Sequence, residues 1–547
     1  MAPRSINDAH LPTILCRFLL VSISMDDILA EVTIRERRKK LYQIAQGNGL
    51  GDTYTATLTR LRAQKGYKSA LGLKVLMWVL HSERPLRAQE LCHALGVEIG
   101  SVDLDLENVP ALRTLVSSCL GLVTVEAPSS TVRLVHFTLQ EHLFSDPTLF
   151  HSPHSAIAEV CLTYLNSKCI RDLSAMLDSA PSTMPLLEYA SVYWGEHARK
   201  GITEAVKILA LRLLDRFDEH ISAQLLLLHY NRDSRHFYGA GGPKGFTGLH
   251  GAAFLGIAEI FYTVLKMKEW DINANDGVGL TAIALAARSG HEEAVKMLLE
   301  REDVDLNKPD NRDQTPLFGA AWDGHEGVVK LLLEREDVDP NKPDNRDQTP
   351  LFGASWNGHE GVVKLLLERE DVYPNKPDNR GQTPLFGASW NGHEGAVKIL
   401  LELEDVNLNK QDNRGQTPLY CAALTGHDGV VKILLGHDDV NPDKPDVYGQ
   451  TPLFGAASNG HERVVEVLLR RDDVNPNKSN KYGQTPLFGA AWDGHEGVVK
   501  ILLGHDDINP GKLDKSGRTP LWWAAKSGHA GVVALLQFLT STTSSAS

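Results

Sequence analysis

Cysteine is scarce in this chain of 547 residues: six, at Cys16, Cys92, Cys119, Cys161, Cys169 and Cys421, with no Cys-x-x-Cys pair. That scatter argues against a disulfide framework, and reads as free thiols in a reducing compartment. A G-x-x-x-x-G-K-[ST] run is also missing, and with it the loop whose amides and lysine hold nucleotide phosphates. The closest Gly-rich stretch, GAGGPKGFTG at 239–248, lacks the Gly-Lys-Ser/Thr order and does not follow a strand. Positive charge is in deficit, 56 Lys and Arg against 69 Asp and Glu, for a net charge of −13. This balance argues against broad binding to nucleic-acid phosphates. No apolar run is long enough to cross a bilayer. The best candidate, LPTILCRFLLVSIS at 11–24, is broken by Arg17 and has no small-residue cleavage site. A cytoplasmic protein without membrane attachment is expected. Gly-x-Ser-x-Gly elbows, acid-supported Cys/His pairs and twelve-residue calcium loops are absent too, so the reading assigns no enzyme activity, no cofactor and no metal.

What is present is repetition. A threonine recurs every 34 residues, at Thr247, Thr281, Thr315, Thr349, Thr383, Thr417, Thr451, Thr485 and Thr519. Each copy opens with Thr-Pro or a variant of it, where proline's missing N–H costs a helix nothing. Gly-His closes that first helix, as at Gly324–His325, Gly358–His359 and Gly392–His393. A second helix follows, in which Val328, Val329, Leu331, Leu332 and Leu333 form a wide apolar stripe. An Asp-Val segment and a polar Asn/Asp/Gly turn lead to the next copy. A unit this small cannot bury its stripe alone and must stack on its neighbours into a solenoid. The pattern Thr-Pro-Leu…Ala-Ala…Gly-His…Val-Val…Leu-Leu-Leu resembles the ankyrin repeat, over 247–540. The resemblance implies a turn–helix–helix unit and a groove that binds protein partners.

Departures from the ankyrin pattern carry information. The histidine of the family's first helix survives only as His250. Phe318, Phe352, Phe386, Tyr420, Phe454, Phe488 and Trp522 replace it in most copies, and Ala284 in the second. The turns must therefore be held by other hydrogen bonds. Next to those rings stand Gly319, Gly353, Gly387, Gly455 and Gly489, which suggests that each ring compensates the volume missing beside it. Asp313 and Asp347 occupy a turn position that is glycine at 381, 415, 449, 483 and 517, so positive φ is expected there. By resemblance, the two residues before Gly-His line the groove. The candidate partner-binding residues are Trp322, Asp323, Trp356, Asn357, Trp390, Asn391, Trp492 and Asp493, with the turn tips Asn311-Arg312 to Asn413-Arg414 as a second, polar row. The Gly-His histidines lie one repeat apart, too far for one ion, and read as helix-end hydrogen-bonding groups.

Ahead of the repeats the chain divides at 1–66, 67–149 and 150–235, with a Gly-rich linker at 236–246 and a Ser/Thr tail at 541–547. LGLKVLMWVLHS, ERPLRAQELCHALG and NVPALRTLVSSCL read as three helices, and LVTVE and TVRLVHF as two strands around Pro128-Ser129-Ser130. Three helices and a hairpin make a winged helix. DNA binding is disfavoured, because Asp103, Asp105 and Glu107 precede the third helix and only Arg84 and Arg87 are offered by the second. Residues 150–235 read as helical. KSALGLKVLMWVLHSERPLRAQELCHALGVEIGS, VRLVHFTLQEHL and LEYASVYWGEHA resemble the part following the nucleotide-binding domain in fungal-type NACHT–ankyrin proteins, signalling NTPases of the NOD-like class. The winged helix also resembles the one named after GPI inositol-deacylase. His136 matches a histidine that contacts ADP in related switches, but without a phosphate loop it reads as a packed strand-end residue. The expected fold class is mostly α: an ankyrin solenoid preceded by a winged-helix and helical N-terminal domain. The expected function is a non-enzymatic protein-interaction scaffold, the alternative being a regulatory fragment acting in trans on NACHT-domain proteins.

Overall fold

The structure is a computed structural model that describes residues 32–39, 50–174, 179–233, 244–267 and 269–544. Cys16 and most of residues 1–49 and of the Gly-rich linker fall outside them. Two compact units form: one up to Trp270 with Asp276–Val278, the other Asp271–Asn275 with Gly279 onward.

After a short helical stretch at 34–39, the first unit runs through helix α1 (Leu50–Arg62), α2 (Tyr67–His81), α3 (Ala88–Gly96) and α4 (Leu112–Ser118). The antiparallel hairpin β1 (Val123–Glu126) and β2 (Thr131–Leu134) comes next, in register Val123 with Leu134 and Glu126 with Thr131. Leu86, Arg87 and Ala88 add a bridge to β2, through Val132 N to Leu86 O at 2.9 Å and Ala88 N to Ser130 O at 2.8 Å. This is the winged helix the sequence describes. α2 buries Leu71, Val75, Leu76, Trp78 and Leu80, so its unbroken apolar run reads as core. α1 packs on α2 and on α5 (Phe137–Phe144), with Tyr54 Oη 2.9 Å from Thr138 Oγ1. His136 is not a strand residue but the N-cap of α5, its Nδ1 accepting the Thr138 amide.

Helices α6 (Pro153–Leu165), α7 (Lys168–Arg171), α8 (Leu187–Lys200), α9 (Glu204–Leu214) and α10 (Ile221–Asp233) follow, with α8 lying along α6. The two helices of the first repeat, Gly248–Leu255 and Ala258–Met267, pack on α9. Here the opening reads Thr-Gly rather than Thr-Pro for a steric reason. A Cβ at Gly248 would sit 1.8 Å from the Leu214 carbonyl oxygen.

The second unit holds the remaining repeats. In copies two to seven and in the ninth the threonine hydroxyl accepts the amide three residues on, for instance Phe318 N to Thr315 Oγ1 at 3.1 Å. The first helix ends on a left-handed glycine, such as Gly324, Gly358 or Gly392. The second helix buries Val328, Val329 and Leu332 fully, while Leu331 and Leu333 are half-buried. A buried aspartate takes over the turn. Asp310 Oδ1 accepts the amides of Arg312 and Gln314, and Asp344, Asp378 and Asp412 repeat the pattern. Short side chains that bond their own backbone build such turns without a histidine. Asp313 and Asp347 adopt φ of 60° and 61°, in the region where Gly381, Gly415 and Gly449 stand at 79°, 73° and 78°.

An asparagine seam joins the copies. Asn307 Oδ1 accepts the Asp339 amide at 2.9 Å, and its Nδ2 donates to the Asp337 carbonyl. Asn273, Asn341, Asn375, Asn409 and Asn477 do the same. Asp443 interrupts the seam. Its Oδ2 accepts the Asn475 amide at 3.0 Å, but as a carboxylate it has no hydrogen for the Asp473 carbonyl, and Oδ1 is buried without a partner. Burial holds its pKa above the usual range, with nearby Asp473 adding to the effect. A raised carboxyl pKa means the fold prefers Asp443 protonated: the penalty is absent below the unfolded-chain value and fully developed above the folded one. Asp443→Asn restores the donor and is expected to stabilise the solenoid by about 1 kcal/mol at neutral pH. In chemical denaturation the gap between variant and parent should narrow on acidification through the carboxyl range. A gap that does not change with pH would remove the ionised Asp443 as its cause.

Candidate functional site: the solenoid groove

Trp322, Trp356 and Trp390 are half-buried, and Trp492 is 43% exposed. Each of the first three stacks on the ring one helical turn earlier, with Phe318, Phe352 and Phe386 at centroid distances of 5.8, 5.8 and 6.3 Å. Trp492 stacks instead on Trp523 of the last repeat, 4.0 Å away. The glycines beside the rings face the side chain at the groove position of the preceding repeat (Arg288 for Gly319, Leu424 for Gly455, Ser458 for Gly489, and a tryptophan for Gly353 and Gly387), which corrects the volume argument made from sequence. A Cβ at Gly353 would lie 3.1 Å from Trp322 Cε3, and one at Gly387 would lie 3.2 Å from Trp356 Cε3. The space is taken by the preceding repeat. In the sixth copy Cys421 stands at that place, and Trp390 packs against Phe386, Tyr420 and Cys421. One side of each ladder tryptophan is therefore packing, while the rest is exposed.

The Gly-His histidines fix this row. His359 Nε2 donates to the Trp322 carbonyl at 3.0 Å, His393 to Trp356 at 3.0 Å, His427 to Trp390 at 3.1 Å and His529 to Trp492 at 2.8 Å. A carbonyl only accepts, so the proton sits on Nε2. Burial pushes the His393 pKa down, which keeps the imidazole neutral. These histidines are structural, as their spacing implies.

The polar candidates divide. Asn357 spends its amide on the Trp322 and Gly353 carbonyls, and Asn391 donates to Gly387. Asp323 faces the Arg288 guanidinium at 3.6 Å. Asp493 is exposed. Among the turn tips Arg312, Arg346, Arg380 and Arg414 are all exposed. Arg380 and Arg414, with Gln382, Gln416, Trp356 and Trp390, line a cleft of about 430 Å³. A second hollow of about 380 Å³ opens where Ser458 replaces the tryptophan, floored by Phe454 and Phe488 and walled by Trp492. The sequence reading did not name this hollow. Its only signal is the break in the tryptophan series at Leu424 and Ser458.

Elsewhere the chemistry is quiet. Cys92, Cys119, Cys161, Cys169 and Cys421 are free thiols, and burial raises the Cys119 pKa to about 12. Such thiols are poor nucleophiles. Arg84 is committed to Glu90, with Nη1 and Nη2 at 2.9 and 2.8 Å from its oxygens, and lies over the Tyr189 ring at 5.2 Å. No described helix is long and apolar enough to cross a membrane. A trio of metal-ligating side chains, Glu83, His154 and His197, escaped the sequence reading, because residues so far apart in the chain meet only through folding.

Capped helix pairs stacked through shared turns, with partly exposed tryptophans recurring at one position, define a repeat solenoid. The ankyrin-repeat model (three copies) matches residues 249–344, 336–412, 403–480 and 472–542, and the chain belongs to that family. The GPI inositol-deacylase winged-helix model matches 59–157. Among solved structures the chain is similar to the human ASB11 ankyrin repeat domain, at 27% identity over 41% of this chain and 98% of that one, with a TM-score of 0.36. No curated protein gives a match.

Proposed function

We propose that this protein is a non-enzymatic scaffold that captures a protein partner in the groove of its repeat array. The observation that carries the reading is the row of partly exposed tryptophans at one structural position, overlooked by exposed arginines. A half-desolvated indole beside a guanidinium suits a partner segment that pairs carboxylates with apolar side chains. The experiment is capture from native cytosol by the full chain and by the Trp322→Ala, Trp356→Ala, Trp390→Ala, Trp492→Ala variant. Circular dichroism establishes that both are folded. The parent is expected to hold a partner that the folded variant loses. Equal capture by both would move the surface to the turn tips or the back of the solenoid.

The sequence resemblance of KSALGLKVLMWVLHSERPLRAQELCHALGVEIGS, VRLVHFTLQEHL and LEYASVYWGEHA to NACHT–ankyrin proteins suggests a second reading, in which this chain regulates NACHT-bearing proteins in trans. Co-purification of such a protein with residues 50–233 alone would favour it over the groove.

A further inference from the structure

Away from the groove, three segments of the first unit bring metal-binding groups to one point. Glu83 follows α2, His154 lies in the first turn of α6, and His197 lies in the last turn of α8. His154 Nδ1 and His197 Nδ1 are 2.9 Å apart, and Glu83 Oε1 is 3.9 Å from His197 Nδ1. One ligand atom of each lies within 4.8 Å of the other two. The His197 side chain is fully buried and that of Glu83 is 22% exposed, so the point is sheltered yet reachable.

The surroundings are those of a ligand set. A histidine that coordinates through Nδ1 must carry its proton on Nε2 and give it to an acceptor. His197 Nε2 has the Tyr189 hydroxyl at 2.8 Å, and that oxygen is itself placed by the Glu83 amide at 3.1 Å. Outer partners of this kind set the tautomer and aim the ring at a metal. His81 closes the far side, its ring edge-on to His154 at a centroid distance of 5.3 Å.

We propose that Glu83, His154 and His197 form a site for a divalent metal ion of the zinc class. Two imidazoles and a carboxylate match that preference, with water completing a tetrahedral shell. Tetrahedral bonds of zinc length place two nitrogens about 3.3 Å apart, so the half-buried His154 ring needs to back away by only a few tenths of an ångström. The Glu83 carboxylate, 3.9 Å from His197 Nδ1, has to swing in further than the ring moves. Lys200 Nζ now sits 2.6 Å from Glu83 Oε1 and competes with the cation; its side chain is 46% exposed and free to swing into solvent. A bound ion ties the end of α2, in the winged helix, to α6 and α8 of the helical segment.

The test is titration of the full chain, stripped by chelator and carrying no histidine tag, with Co2+ read by visible ligand-field absorption. Saturation at one ion per chain and bleaching by Zn2+ are expected. His154→Gln and Glu83→Gln should each abolish the signal, and Tyr189→Phe should weaken binding by about tenfold. Lys200→Met should tighten it. Thermal unfolding of the metal-free proteins establishes that the variants fold, and the Lys200→Met gain does not depend on any variant losing structure. A parent that takes up no stoichiometric Co2+ overturns the site. So does undiminished uptake by folded His154→Gln and Glu83→Gln.

Discussion

Gly358→Ala is expected to destabilise the array by about 3 kcal/mol, although it adds one methyl group at a helix end. Two effects add. Gly358 adopts φ 75°, ψ 26°, where a Cβ costs about 1–2 kcal/mol. The same Cβ would lie 2.4 Å from His393 Nδ1 of the next repeat, and crowding of this kind costs about 1–3 kcal/mol. His393 cannot retreat without giving up its bond to the Trp356 carbonyl. Because solenoid stability is a sum over repeats and junctions, the damage should stay local. Hydrogen exchange should quicken at the junction of the fourth and fifth repeats before it does so in the first or last. Uniform loss of protection would mean that the junctions are not separable.

Gly248→Ala is the second large effect, about 2–3 kcal/mol, and it arises from backbone and not from a side chain. The added Cβ would meet the Leu214 carbonyl oxygen at 1.8 Å and its carbon at 2.8 Å, and neither can rotate aside. Gly251 meets the same surface, since a Cβ there would lie 2.6 Å from the Phe217 ring. The first repeat must therefore shift off α9. Denaturant melts should show the first unit unfolding at a lower midpoint while the later repeats keep theirs. An unchanged midpoint would show that α9 yields at small cost.

Sequence and structure agree where a residue answers to its own backbone. Thr-Pro starts, Gly stops and the Val-Val-Leu stripe follow from helix geometry alone, and the left-handed turn at Asp313 and Asp347 was legible because glycine alternates with aspartate there. The winged helix was legible for the same reason, in the spacing of its apolar residues. His136 was misplaced because a strand end and an N-cap share extended backbone, and only the helix that follows tells them apart. The glycines of the first helices were misread because the side chain that fills their space lies 31 residues earlier, as Trp322 does for Gly353.

The 34-residue period and its apolar pattern determined on their own that the chain stacks into a solenoid, since no single unit could bury its stripe. Tertiary structure alone decided what the repeated residues do. It turned tryptophans into part packing and part surface and assigned asparagine amides to the scaffold. It also left Asp443 as a fault in a seam and gathered Glu83, His154 and His197. Those outcomes depend on which side chains meet across junctions and between helices, and contact at a distance along the chain leaves no periodic trace in the sequence.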